Sequence, residues 1–454
     1  MTELAAPART RPDRSVDAFR PIQYMGSKAR LLDLIEDAID FVDPAGGPAL
    51  DLFSGSGVVA ARLGRARPVT AVDVQEYARV LAAALSGPAR MKTRAIERLA
   101  ERAGRRADQL AEADLAAPIE AERAAIEALA QGDPEPLCEL IEQGSPIAFE
   151  QGEGPPPGPL REALESAVPR LSAPAERLTL TRFYGGVYFS YEQALHLDCV
   201  LAAVRALPAG AARDTGLAAA LGAASECVTS VGSHFAQPVR PRDGLGRPKP
   251  AALVAVARRR RRCVFEVFTE RLRRYARAPG ASLPVRALSA DYRAFLASHE
   301  GEVAVAYADP PYTRDHYSRF YHVLETMARG DDPDVSRVSV GGADLLSRGL
   351  YRRDRHQSPF CIRTQAPDAF RELFAGVRAL GAPLVVSYSP YSSGTAARPE
   401  TRLLRIPEVV ELAGEAFADV SIRSAGPLSH SKFNAQRLNG AIDREAEVLL
   451  ICRP

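Results

Sequence analysis

Asp309-Pro310-Pro311-Tyr312 sets a carboxylate, two rigid residues and an aromatic ring in succession, directly after the apolar run Val303-Ala304-Val305-Ala306-Tyr307. That run reads as a buried strand, which puts the tetrapeptide at its carboxyl end. Neither proline can donate a backbone hydrogen bond, and each holds φ near about −65°. The loop is therefore stiff and its carbonyl oxygens are left to accept. A carboxylate and a fixed carbonyl can take the two N–H hydrogens of an exocyclic amine while Tyr312 stacks on the ring that bears it. By themselves these four residues also describe a proline turn with a surface aspartate, so the rest of the chain has to decide.

Upstream, Ser54-Gly55-Ser56-Gly57 stands where a strand over residues 49–53 turns into a helix beginning at Val58. Glycine lets a ligand approach the backbone at the carboxyl edge of an open sheet. The spacing is not GxGxxG and the loop has no basic residue, which disfavours a pyrophosphate-bearing nicotinamide cofactor. A second strand, residues 69–72, ends at Asp73, 22 residues after Asp51. An acid there can bond both hydroxyls of a ribose. Together the turn and the acid favour a nucleoside-containing cofactor. Lys28, near the start of a helix, is unfavourable to the helix dipole, and is better explained by an anion it neutralises, such as an amino-acid carboxylate.

These positions need a doubly wound sheet to hold them. Residues 31–41 read as an amphipathic helix, and residues 49–73 form a β–α–β unit. Sheet-like runs resume only at residues 285–288, ending at Asp291, and continue at 303–307, 383–387 and 447–452. Some 200 residues that are not sheet-like separate the halves. Tyr317, Phe320 and Tyr321, with His316 and His322, have the 3–4 spacing of one helix face, so core packing is their expected role.

A chain of 454 residues can bury a large core and hold two domains. With 25% charged and 46% hydrophobic residues the composition is that of a soluble globular protein. No apolar run suits a signal peptide or a membrane span. The six cysteines are scattered without a CxxC pair, which disfavours zinc and disulfide frameworks and suits a reducing cytoplasm. The net charge is only +2, but residues 236–262 carry nine basic residues against one acid, and residues 112–165 carry thirteen acids against two arginines. The first stretch is expected to attract a polyanion and the second to repel it. The Arg258–Arg262 run also fits a solvated helix face, since five consecutive positions wrap the helix.

The order Tyr24-Met25-Gly26-Ser27-Lys28, Asp51-Leu52-Phe53-Ser54-Gly55-Ser56-Gly57, Asp73, a long insert and Asp309-Pro310-Pro311-Tyr312 resembles the amino-methylating DNA adenine methyltransferases, in their alpha motif order. The resemblance implies an α/β fold with a Rossmann-like S-adenosylmethionine-dependent methyltransferase sheet and a large, mostly helical insert carrying target recognition. It implies S-adenosylmethionine as cofactor, S-adenosylhomocysteine as product, and no metal. Tyr24 and Lys28 match the motif at the methionine end, and Asp51, Phe53, Gly55 and Gly57 the glycine loop. Asp73 matches the ribose acid, and Asp291 an acid near the cofactor's adenine. Asp309, Pro310 and Tyr312 become the catalytic set, acting on the N6 amine of a base flipped out of the duplex. Ser387-Tyr388-Ser389 resembles the motif beside the target base, and residues 444–447 resemble the family's closing hairpin.

Residues 184–191 and 233–238 look loosely like recognition segments, so Tyr188, Ser190, His234, Arg240, Arg242, Arg247, Lys249 and Tyr388 are expected to meet DNA. The expected organisation is a disordered N-terminus (1–17), a cofactor half (18–90), an acidic helical insert (91–177), a recognition region (178–280) and a catalytic half (281–454). The acidic segment is expected to face away from DNA and move as a unit on the Gly152–Pro157 linker. Duplex DNA is the expected partner, with a restriction endonuclease or other defence protein in a restriction-modification or host-defence setting. Cytosine-N4 methylation, RNA adenine methylation and a non-catalytic DNA-binding subunit stay open as alternatives.

Overall fold

A computed structural model describes residues 19–173, 178–314, 316–388, 403–424 and 448–454. The expectations for the N-terminus, for Ser389 and for residues 444–447 lie outside the described residues. The strands are β1 (Ala49–Asp51), β2 (Val69–Asp73), β3 (Val285–Ser289), β4 (Val305–Ala308), β5 (Arg337–Val340), β6 (Ala343–Leu346), β7 (Leu384–Tyr388), β8 (Asp419–Ser424) and β9 (Val448–Arg453). Seven of them form one sheet in the order β3-β2-β1-β4-β7-β9-β8, while β5 and β6 make a separate hairpin. The first five strands of that order run parallel, and β9 is antiparallel to both β7 and β8.

β1, β4 and β7 are buried along their whole length, which is why they read as continuous apolar runs. Successive residues go to opposite faces. Ala49, Val305 and Val385 join one core with the helices Leu32–Val42 and Glu76–Ser86. Their neighbours Leu50, Ala306 and Val386 join a second core under the helices Tyr292–Ser298, Ala366–Ala379 and Ile406–Gly414.

Between β2 and β3 the described chain forms helices and loops. The helix Ala211–Cys227 packs on Glu76–Ser86 and on Val264–Arg277, and Thr93–Leu110 packs on Tyr191–Arg205. Leu115, Ile119, Leu137 and Leu164 of the acidic segment are buried in the same core as Tyr77 and Leu81. The expected freely moving excursion is therefore corrected: the segment shares its core with the cofactor half. Its linker is also tied down. Pro155 carbonyl oxygen accepts from Arg161 at 2.9 Å, and Glu153 accepts the backbone N–H of Leu346 on β6 at 2.9 Å.

Oppositely charged stretches meet directly. Arg242 bridges Glu135 (2.7 Å) and Glu142 (3.1 Å). Deeper, Arg260 pairs with Glu122 at 2.8 Å, donates to Gly186 carbonyl at 2.6 Å, and has a fully buried side chain. The second Glu122 oxygen accepts from Tyr191 N–H at 2.8 Å. Arg260 Nε alone is left without a hydrogen-bond partner; such a buried pair gains little over an apolar equivalent, but removing one partner costs about 3–5 kcal/mol.

Candidate active site and a neighbouring basic cleft

Because β3, β2, β1 and β4 are parallel neighbours, the acids that end them line up along one edge of the sheet: Asp291, Asp73, Asp51 and Asp309. The registers fix this. Asp73 lies beside Ser289, and Asp51 lies beside both Ala71 and Tyr307. The strand order reverses between β1 and β4, where an open α/β sheet has its ligand crevice.

The glycine turn closes onto Asp73. Gly55 N–H donates to Asp73 Oδ2 at 2.9 Å, while Gln75 N–H donates to Oδ1 at 2.9 Å. Gly55 has φ +50° and faces the Tyr24 ring, so a Cβ would lie 2.6 Å from the Tyr24 hydroxyl. Gly57 has φ +77° at the start of Val58–Leu63, and a Cβ there would strike Ala82 backbone at 2.5 Å. Both glycines are therefore required by backbone conformation and close approach.

Asp51 is 1% exposed, and neither carboxylate oxygen has a hydrogen-bond partner. Burial, then the nearby charges of Asp309 and Asp73, push its carboxyl up to about 8, only partly offset by the backbone N–H groups of Ala60 and Phe53, neither of which makes a well-formed hydrogen bond to it. Burial also raises Asp73, to about 6, against the three backbone N–H groups that favour its charge. Lys28 is buried as well. Its ammonium lies 2.6 Å from Asp309 Oδ2 and donates to Gly26 carbonyl at 3.1 Å. The anion expected beside Lys28 is thus, in this structure, Asp309 itself.

The aromatic segment after Tyr312 secures this arrangement. Tyr321 is buried, stacks on Tyr24 at 5.1 Å, and accepts Met25 N–H at 2.8 Å. Tyr317 lies 5.7 Å from Tyr24 and donates to Met25 carbonyl. Core packing therefore holds for Tyr321 and His322, while Tyr317 supports the Tyr24–Lys28 segment. Tyr312 packs on Tyr388 at 5.1 Å, and the Tyr388 hydroxyl donates to Leu404 carbonyl at 2.6 Å. Phe53 lies against Tyr292 and Phe360. Asp291 caps Tyr292–Ser298, accepting from Arg293 and Ala294 N–H.

One contributor was not read from sequence. Glu325 accepts from Glu76 and Tyr77 N–H at 3.2 and 3.1 Å, clamping the helix after Asp73 to the segment after Tyr312. Burial pushes its carboxyl up to about 7. Four residues before Arg329, it reads as half of an ordinary surface pair.

Several residues expected to meet DNA sit elsewhere. Tyr188 is fully buried and donates to the carbonyls of Phe235 and Gly349. Ser190 caps Tyr191–Arg205 in a capping box with Gln193. His234 is 4% exposed, packs on Phe320, and is pushed down to about 4 by burial. All three hold residues 184–191 and 233–238 in place from inside, and as packed they offer a partner no side-chain surface. Tyr388, 1% exposed, is likewise part of the core beneath Tyr312. Arg242 is bound to its two glutamates, and Arg247 pairs with Asp243 at 2.8 Å. Arg240 and Lys249 instead line a cleft of about 840 Å3 between residues 229–259 and the β5–β6 hairpin with the segment after it.

The family model of D12 class N6 adenine-specific DNA methyltransferases matches residues 24–114 and 254–377, two stretches that contain every acid of the sheet edge. Over those two stretches the chain is similar to that class. Modification methylase LlaI of Lactococcus lactis subsp. lactis is 32% identical over 115 residues, 25% of this chain and 15% of the relative's own length. No solved structure matches the chain. Among the described residues no helix is long and apolar enough to cross a membrane.

Proposed function

We propose that this chain transfers a methyl group from S-adenosylmethionine to the N6 amine of an adenine flipped out of duplex DNA. The sheet would serve as a Rossmann-like methyltransferase scaffold, with the helical insert carrying target recognition. What supports the reading most is the placement of Asp309, at the rigid end of β4, beside Lys28 and the glycine turn of β1. S-adenosylmethionine, when bound, supplies an electrophilic methyl on a sulfonium. The residues present fit such a ligand: Asp51 is a buried carboxylate without a hydrogen-bond partner, suited to a molecule with ammonium and sulfonium charges. Asp73 would accept from ribose hydroxyls, and Asp291 would stand at the adenine end. Tyr24, Phe53, Gly55 and Gly57 would form the walls, and Lys28 would meet the methionine carboxylate while orienting Asp309.

At the target, an adenine amine is a poor nucleophile because its lone pair is delocalised into the ring. Asp309 carboxylate and Pro310 carbonyl would each accept one N–H, favouring a pyramidal nitrogen with its lone pair localised. Asp309 would take the proton that the amine sheds once methylated. Tyr312 would stack on the flipped base, for about 1–3 kcal/mol, comparable to the cost of unstacking. The proposal places the enzyme in the cytoplasm at the nucleoid; likeness to a modification methylase suits a restriction-modification or host-defence setting, in which an endonuclease would be the partner.

Tritiated-methyl transfer to duplex DNA, single-stranded DNA and RNA, followed by base analysis, tests this directly. Label on N6-methyladenine in duplex DNA is the expected result. Label on cytosine or RNA, or no transfer at all, would overturn it.

A further inference from the structure

The basic cleft has an ionic composition unlike the rest of the surface. Arg240, Lys249, Arg258, Arg259, Arg319 and Arg348 line it, and no aspartate or glutamate does. Many arginines elsewhere are paired: Arg242, Arg247, Arg260, Arg262, Arg271, Arg352 and Arg353 each have a carboxylate within 4 Å. None of the six cleft cations does among the described residues. Where they bond, they bond to neutral acceptors: Arg348 to Val239 carbonyl, Arg319 to the Tyr351 hydroxyl, Lys249 to Arg240 carbonyl, and Arg259 to Val228 carbonyl and Ser233.

Six like charges gathered with no carboxylate in ion-pair contact among the described residues cost free energy. The C-terminus of the helix Pro250–Arg260 accounts for Arg258 and Arg259 through its dipole. It does not account for Arg240, Arg319 or Arg348, which come from three other segments. The cleft is floored by apolar groups, among them Val231, Val239, Ala252 and Val256. An apolar floor under a cationic rim matches a chain of deoxyribose and phosphate. Five of the six cations are arginines, whose planar fork suits phosphate oxygens.

The cleft also adjoins the candidate active site through one short element. In the helix Tyr317–Phe320, Tyr317 bonds the Met25 carbonyl beside Lys28, while Arg319, two residues on, lines the cleft. We propose that this cleft is the seat of the DNA backbone flanking the flipped base, with Arg240, Arg258, Arg319 and Arg348 neutralising phosphates without reading sequence. The inference rests on the proposed action on DNA, and it moves the phosphate contacts away from Arg242 and Arg247. It also adds two arginines from outside the recognition region.

The test is the salt dependence of duplex binding by the full chain, measured from 50 to 300 mM NaCl with a labelled duplex of mixed sequence. Arg240, Arg258 and Arg348 are exposed, so substituting them leaves the core alone. Each of Arg240→Gln, Arg258→Gln and Arg348→Gln should flatten the slope of log affinity against log salt by about one. The corresponding Lys variants should restore the slope, which counts charges, while affinity stays below the parental value because the arginine fork is lost. Arg247→Gln, already paired to Asp243, should move the slope by much less. S-adenosylmethionine affinity by calorimetry should stay at the parental value in every variant. An unchanged slope in the three Gln variants, with cofactor binding intact, would overturn the assignment, as would saturation of the cleft by inorganic phosphate with no effect on duplex affinity. A parental chain that binds no duplex at all would instead sink the DNA reading beneath it.

Discussion

At the carboxyl edge of the sheet, Asp51, Asp73, Asp291 and Asp309 stand together against one buried cation, Lys28. In the cleft beside the β5–β6 hairpin, six cations stand together against no carboxylate. With Asp51 protonated below about pH 8, three carboxylates still face Lys28, so neither region is electrically balanced, although the whole chain is nearly so at +2. The surplus in each place is of the sign that a ligand would cancel: a sulfonium and an ammonium at the acidic edge, phosphates in the basic cleft. Where the two charged stretches of sequence instead meet, through Arg242 and Arg260, they cancel each other and serve the fold. Charge that is paired within the chain builds structure, and charge left over marks where something else must bind.

The contrast is broken most sharply at Asp309. Asp309→Ala should lower methyl transfer by on the order of 10³-fold or more while leaving S-adenosylmethionine affinity largely intact. Near-normal turnover would remove the amine-accepting role. Asp309→Asn should be severely impaired too, since its amide can turn an NH₂ toward the target amine.

Next in size is the link beneath the basic side. Glu122→Ala leaves Arg260 charged and buried, and should destabilise the chain by about 3–5 kcal/mol. Because the acidic segment shares a core with the cofactor half, denaturant unfolding should show one transition shifted as a whole. A separate early transition, with the cofactor site still able to bind, would mean that the recognition side unfolds by itself.

Asp73→Ala removes the acceptor of Gly55 and Gln75 N–H and of the proposed ribose bonds. Cofactor affinity should fall by about 1.5–3 kcal/mol, roughly 10- to 150-fold. Calorimetry giving the parental dissociation constant would assign Asp73 to the turn alone.

The smallest effect concerns pH. Asp51 titrates at about 8 in the folded chain, against about 3.9 when unfolded. Between those values the folded chain holds a proton that the unfolded chain gives up, so this group's contribution to stability falls as pH rises from about 4 to about 8. Asp73, raised to about 6, and Glu325, raised to about 7, add in the same sense. Asp51→Asn should therefore raise Tm at pH 8 by roughly 2 °C or more while weakening cofactor binding. An Asp51→Asn chain whose Tm follows the parental pH profile would contradict the burial of an unpaired carboxylate.

The acidic edge was legible in sequence because each of its acids ends an apolar run, and a parallel sheet brings such ends together. The basic cleft was legible only in part. Its cations come from residues 240–259, 319 and 348, and linear charge counting groups Arg240 with Arg242 although the fold sends them to different partners. Tyr188 and Ser190 sit in segments that look like recognition loops, and only packing shows that one is core and the other a helix cap. Glu325 looks like a surface acid because the two N–H groups that donate to it lie some 250 positions away. The β5–β6 hairpin escaped notice because Val338 and its neighbours face solvent, so no strong alternation marks it.

The clasp of Arg260 and Glu122, reinforced by Gly186 carbonyl and Tyr191 N–H, has a consequence for how such enzymes can be recombined. Transplanting only residues 178–280 between relatives would import an arginine and leave its glutamate behind, or the reverse. The smallest exchangeable cassette runs from about the start of the Thr93–Leu110 helix to the end of Val264–Arg277. Chimeras of this chain should therefore exchange the acidic helices together with the arginines they hold.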